Sequence, residues 1–165
     1  MAINGKNIAG GAVMAMAADY RIIKRKGTLH YIEAQVGIDL VPFIFECVSR
    51  VTGSDVASYV FQTAAPLKAE ECLHLGLVNE MVEDDEELMQ RAIAVLETKY
   101  FNGMTGAAAS ARNIGRKYYI DYIENAVTRN ADIEGLMDAF HSDGVQKFIH
   151  KYLSAAKRPK KKSKL

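Results

Sequence analysis

Residues 10–18, Gly-Gly-Ala-Val-Met-Ala-Met-Ala-Ala, narrow what this chain can become more than any other segment. The run is small and apolar on every side, and a helix without a polar face is stable only when it is surrounded. It is far shorter than the roughly 18 apolar residues of a membrane span. Its cover must therefore come from neighbouring segments, and these read as strands. Ala2-Ile3 looks like a strand end and Asn4-Gly5 a turn. Residues 19–24 and 28–32 are strand candidates joined by an exposed Arg25-Lys26-Gly27 turn. A buried helix among short strands predicts an α/β fold.

Beyond residue 40 the pattern turns helical. Pro42 opens a helix over 42–51 that Gly53 stops, and Ser54 is the expected cap of the next. A short helix over 67–75 ends at Gly76, and residues 77–82 read as a strand. Asp84 with Glu87 resembles a capping box opening a helix toward Lys99. After Thr105 the chain is largely helical, with a break expected near Asn130-Ala131 and a last helix from about Phe140 to Ala155. Two or three strands cannot make an independent sheet with satisfied edges, so further strands are expected upstream.

Composition excludes several classes. With 49% hydrophobic and 25% charged residues, the 165-residue chain reads as one globular domain. No basic segment followed by an apolar run marks a secretory signal. Cys47 and Cys72 are widely spaced, predicting free buried thiols, and His30, His74, His141 and His150 form no ligand-like pair, so no metal site is expected. Six of the 21 basic residues crowd into residues 157–165, leaving 15 against 20 acidic in the body, about −5. The body is thus no nucleic-acid binder.

Chemistry concentrates at Ala9-Gly10-Gly11 and Glu33. Small residues at a loop-to-helix junction let a backbone N–H approach a ligand at the positive end of the helix dipole. A lone carboxylate after an apolar strand is a candidate proton carrier. Together they suggest an oxyanion donor and a carboxylate base, able to move a proton beside a carbonyl. By residue type alone, Glu33 reads first as a helix- or loop-capping carboxylate, and the glycine pair equally as a tight turn with close helix packing.

These residues carry a family likeness. Ala2-Ile3-Asn4-Gly5, Ala9-Gly10-Gly11, Asp19-Tyr20-Arg21 and later Ala69-Glu70-Glu71…Gly76-Leu77-Val78-Asn79 stand in the order and spacing of the crotonase (enoyl-CoA hydratase/isomerase) superfamily. The likeness runs from residue 2 to about 155. Within it the chain most resembles the mitochondrial-type Δ3,Δ2-enoyl-CoA isomerases, through residues 33–38 followed by Pro42-Phe43, and through Ser142-Asp143…Gln146-Lys147. The resemblance implies a partial spiral of ββα units with a mostly helical C-terminal region. It divides the chain into spiral core (1–105), helices for trimerisation or substrate covering (106–156) and a basic tail (157–165). It also implies a fatty acyl-CoA substrate, no cofactor beyond the coenzyme A that the substrate carries, and a homo-oligomer, trimer or hexamer.

On this likeness Glu33 is the base that shuttles a proton from C2 to C4 of a 3-enoyl thioester, and the Gly10 N–H is an oxyanion donor. Gly11 serves packing. Val13 stands where hydratases of the family carry a second glutamate, which disfavours water activation. Dienoyl isomerases place an aspartate at Val41; Asp39 falls two residues short and reads as a loop residue. Met14, Met16, Phe43, Phe45 and Tyr59 read as core, and Arg112, Arg116 and Lys117 as a solvated helix face. Family members carry an N-terminal half with the other oxyanion N–H, so this chain alone is expected to be weak or inactive. The alternatives are an enoyl-CoA hydratase, another acyl-CoA enzyme of the family, or a truncated non-catalytic subunit. Ser163-Lys164-Leu165 matches a receptor-read peroxisomal address, so a peroxisomal or glycosomal location and an import receptor partner are expected.

Overall fold

The computed structural model describes residues 1–101 and 106–156. Among the described residues, six short strands fall into two sheets. β1 (Ala2–Ile3), β3 (Ile22–Lys24) and β6 (Glu80–Val82) form one parallel sheet in the order β1-β3-β6. In the second, β2 (Lys6–Ile8) runs parallel to β4 (Thr28–His30), and β5 (Leu67–Lys68) lies antiparallel against β4. Each winding thus lays a strand in one sheet, a strand in the other, then a helix: β1-β2-α1 (Gly10–Met16), then β3-β4-α2 (Glu33–Val36). Parallel register stacks the windings, with Ala2 opposite Ile22 and Ile22 opposite Glu80. The result is part of a spiral of ββα units, as the sequence led us to expect.

The glycines at the strand corners show why the winding is tight. A β-carbon on Gly27 would lie 2.8 Å from Ile23 Cγ1 and 2.9 Å from the Lys24 carbonyl oxygen, so only glycine fits between β3 and β4. β2 was not foreseen: Lys-Asn-Ile has no strand pattern, and its pairing with β4 makes it one. Leu67 and Lys68 likewise pair with β4 before α5 (Ala69–His74) starts, which shortens the expected helix. Glu33, the carboxylate that follows β4, opens the turn of α2.

Two helices form a hairpin over the sheets, α3 (Pro42–Thr52) and α4 (Ser54–Thr63). Gly53, at φ 87°, ends one and caps the other, so Ser54 is a helical residue rather than the cap. α6 (Asp85–Val95) starts as expected: the Asp84 carboxylate accepts the Glu87 N–H at 2.9 Å, while Glu87 reaches back to the N–H of Glu83. It runs on as a π-helical segment, Leu96–Phe101. Last come α7 (Gly106–Glu124), α8 (Ala126–His141) and α9 (Asp143–Ala156). The break falls at Asn125, whose side chain accepts the Thr128 N–H at 3.1 Å, and Asn130 lies inside α8. An asparagine starts a new helix where its side chain accepts an orphan N–H of the first turn.

The core joins Ile3, Ile23, Leu29, Val48, Val60 and Leu77, all essentially removed from solvent. Cys47 and Cys72 are free and buried, and burial pushes both thiols up to about 11. On α1, Ala12, Val13, Ala15 and Met16 are buried, but Met14 is 71% exposed, so the helix is not enclosed all round. Tyr59, also expected in the core, is half exposed. α7 docks on α3 through aromatic rings, with Phe43 stacked on Tyr122 at 3.9 Å, and α9 reaches α2. Because β4 is the middle strand of its sheet and Leu29 is fully buried, Leu29→Ala is expected to cost about 2–5 kcal/mol, read as a lower midpoint in urea.

Candidate active site

Parallel pairing of β2 and β4 brings the two candidate residues to one end of a sheet. Ile8 lies opposite His30, and one residue on, the Ala9 N–H donates to the His30 carbonyl at 2.8 Å. Beyond this last rung, one strand turns into α1 at Gly10 and the other into α2 at Glu33. The carboxyl ends of parallel strands are where α/β proteins place ligands, because helices begin there with unpaired N–H groups.

The turn into α1 is strained. Ala9 sits at φ 52°, ψ −128°, a region suited to glycine and costing about 1–3 kcal/mol for other residues. Gly10 has no such need, since its φ is not positive and a β-carbon there would meet nothing within 4 Å. Its missing side chain leaves the backbone at the first turn of α1 open to close approach. Gly11 differs: a β-carbon would fall 2.5 Å from Asn7 Oδ1, so this glycine makes room for the Asn7 side chain.

Glu33 is 6% exposed, and its Oε2 is buried without a hydrogen-bond partner. Burial raises its pKa above the ordinary 4.5, opposed by its own backbone N–H and by nearby His30. A cavity of about 420 Å³ opens beside it. Ile38, Leu40, Phe45 and Phe61 form apolar wall, and Asp39, Ser58 and Gln62 add polar groups. Asp39 is thus both the loop residue expected and a second carboxylate on the cavity, which spacing alone did not reveal. Phe45, read as core, is wall. Gly10 does not line this cavity; the Ala9–His30 rung is what ties it to the Glu33 side.

His30 and Gln35 add support that residue spacing left hidden. Both side chains bond the carbonyl of Ala64, at 2.8 and 2.7 Å, clamping the end of α4 against β4 and α2. Tyr31 is fully buried, meets Phe61 edge-on at 5.1 Å, and its hydroxyl is also unpartnered. Val13, 8% exposed, puts no carboxylate on α1.

A family model described as enoyl-CoA hydratase/isomerase matches residues 1–162. The chain is 30% identical to the rat protein "Enoyl-CoA delta isomerase 1, mitochondrial" over 161 residues, 96% of this chain and 54% of the relative. It is also 30% identical over 136 residues to a short-chain-enoyl-CoA hydratase of Clostridium acetobutylicum, covering 81% of this chain and 51% of the relative. The crystal structure of human mitochondrial Δ3-Δ2-enoyl-CoA isomerase superposes with a TM-score of 0.82 at 24% identity, over 94% of this chain and 60% of that one. The chain therefore spans about half the length of the curated relatives it matches.

The expected peroxisomal or glycosomal location is corrected by these relatives. The rat protein and similar mouse and human proteins are all mitochondrial by name. A tripeptide such as Ser163-Lys164-Leu165 carries little information, and residues 157–165 lie outside the described residues.

Two outcomes test the geometry. Because burial raises the Glu33 pKa, the folded chain holds that proton more tightly than the unfolded one. Its contribution to stability is complete below the ordinary 4.5 and is lost as pH rises through the folded value. Glu33→Gln is therefore expected to melt higher than wild type at mildly alkaline pH, with the gap closing in acid, as read by thermal unfolding across pH. Ala9→Gly is expected to stabilise by about 1 kcal/mol through relief of the strained turn, measured by thermal unfolding.

Proposed function

Because the chain belongs to the enoyl-CoA hydratase/isomerase family, we propose that it carries the proton-shuttling part of an isomerase site, converting 3-enoyl-CoA to trans-2-enoyl-CoA. The observation that carries this reading is the buried carboxyl of Glu33, its Oε2 without a hydrogen-bond partner, at the strand end it shares with the open backbone of Gly10. In the ionised form Glu33 takes a proton from C2 of the thioester, and the C2–H electron pair moves into the conjugated dienolate. The Gly10 N–H stabilises the negative oxygen, an effect worth about 2.7–4 kcal/mol of barrier per donor where measured. Glu33 then returns its proton at C4, and the double bond settles between C2 and C3. One carboxyl group serves both steps, and a pKa raised by burial suits a group that must take and give the same proton. No cofactor beyond the substrate's own coenzyme A is required.

Asp39 favours a second reading. Water addition to a 2-enoyl thioester uses a second carboxylate to activate water, and Asp39 lines the same cavity as Glu33. Buried Val13 supports isomerisation, because it keeps α1 from supplying that group.

Assaying the full chain with 3-enoyl-CoA, following double-bond transfer and deuterium uptake at C4, is expected to show weak turnover that Glu33→Gln lowers by roughly 10²–10⁴. Asp39→Asn leaves it nearly unchanged. Retained turnover in Glu33→Gln sinks the proposal. Faster hydration of 2-enoyl-CoA, lost in Asp39→Asn, selects the second reading.

A further inference from the structure

Two residues other than glycine hold a positive φ among the described residues, Ala9 at 52° and Ala64 at 46°. A β-carbon makes that region costly, so such residues persist only where their surroundings fix them, and they gather at functional sites. Ala9 precedes Gly10 at the start of α1, and Ala64 follows the end of α4. Far apart in the chain, both are hydrogen-bonded to one residue. The Ala9 N–H donates to the His30 carbonyl at 2.8 Å, and His30 Nε2 lies 2.8 Å from the Ala64 carbonyl oxygen.

His30 ends β4, and Glu33 opens α2 just beyond it. α2 is four residues long, too short a helix to hold its own direction. Its far end is closed by the Gly37 and Ile38 N–H groups, which both donate to the Glu33 carbonyl. From outside, the Ala64 carbonyl grips the chain on either side of Glu33, accepting His30 before it and Gln35 Nε2 after it at 2.7 Å. In a continuing helix that carbonyl would point along the axis of α4; the left-handed Ala64 leaves it free for both donors. A carbonyl only accepts, so Nε2 of His30 carries a hydrogen in the neutral ring as in the imidazolium, and the clamp survives either state.

We propose that His30 and Gln35 are positioning residues for Glu33: by holding the Ala64 carbonyl from both sides of it, they fix the direction of its carboxyl relative to the strained turn that carries Gly10. Neither residue lines the cavity, so both act through Glu33. This role rests on the reading of Glu33 as the proton carrier. The other ionisable groups near Glu33 are Tyr31 and Asp39, while α4 lines the cavity with uncharged Ser58, Phe61 and Gln62. α9 touches α2, but among the described residues it brings no group that shifts the Glu33 carboxyl.

Paired substitutions at His30 separate the hydrogen bond from the charge. His30→Ala and His30→Gln both remove the imidazole, and only glutamine keeps an N–H donor at the reach of Nε2. With 3-enoyl-CoA, His30→Ala is expected to lower kcat roughly tenfold to a hundredfold with KM within about twofold, as for a reacting group displaced by about an ångström, and His30→Gln to recover most of the loss. Gln35→Leu changes no charge, is expected to act as His30→Ala does, and replaces it if that variant does not fold.

A second measurement needs no turnover. The Glu33 carboxyl, identified by carbon NMR through its absence in Glu33→Gln, is expected to titrate closer to the ordinary 4.5 in His30→Ala than in His30→Gln, because a loosened turn admits water. Gln35→Leu is expected to lower it too. Leu88→Ala, in the buried face of α6, is the control for lost stability alone and is expected to keep the wild-type titration. Retained turnover in Glu33→Gln fails the isomerase reading and leaves the titration to decide this one. His30→Ala and His30→Gln titrating alike, or Gln35→Leu titrating as Leu88→Ala does, overturns the positioning role.

Discussion

The buried guanidinium of Arg21 holds the windings of this structure together. It is 7% exposed and meets no carboxylate; its Nε donates to the Leu77 carbonyl at 2.8 Å and its Nη1 to the Ala18 carbonyl at 2.6 Å. Its main chain exchanges bonds with Asn79, the Arg21 N–H to Asn79 Oδ1 at 2.8 Å and the Asn79 N–H to the Arg21 carbonyl at 2.9 Å. A charge is tolerated inside only when its donors are satisfied, so Arg21 dictates where the end of α1, β3 and the approach to β6 must lie. The segments Asp19-Tyr20-Arg21 and Gly76-Leu77-Val78-Asn79, far apart in the chain, are two faces of one interaction.

With the windings stacked, the rest follows by position. β2 and β4 end side by side, and the helices that follow them begin side by side. Ala9 bears the strain of that geometry and Glu33 bears the desolvation, both costs that the surrounding core sustains. Strained backbone and a buried carboxyl oxygen without a partner, joined through one rung of a sheet, are features that stability alone would remove. The clamp of His30 and Gln35 on Ala64 keeps the cavity wall of α4 against them.

Local chemistry made much of this legible in advance. Pro42, Gly53, Gly76 and the Asp84–Glu87 box mark helix ends because each acts on its own neighbours. Gly10 and Glu33 stood out for a similar reason, as a small residue at a helix start and a carboxylate after an apolar strand. β2 and β5 were hidden, since Lys-Asn-Ile and Leu-Lys hold strand conformation only by pairing with β4. The break at Asn125 rather than Asn130 was hidden too, because both are asparagines and only one has an orphan N–H within reach.

The linear chain, then, settled the α/β class, most helix boundaries, the free thiols and the residues on which chemistry could rest. Those properties depend on side-chain type and short spacing. Tertiary structure decided which of them meet. It set Asp39 and Phe45 on the wall beside Glu33, turned Met14 and Tyr59 outward, and gathered Arg50, Lys99, Arg112 and Arg116 around one cavity. Burial, unpaired hydrogen-bonding groups and uncompensated charge are properties of neighbours in space, and sequence order does not contain them.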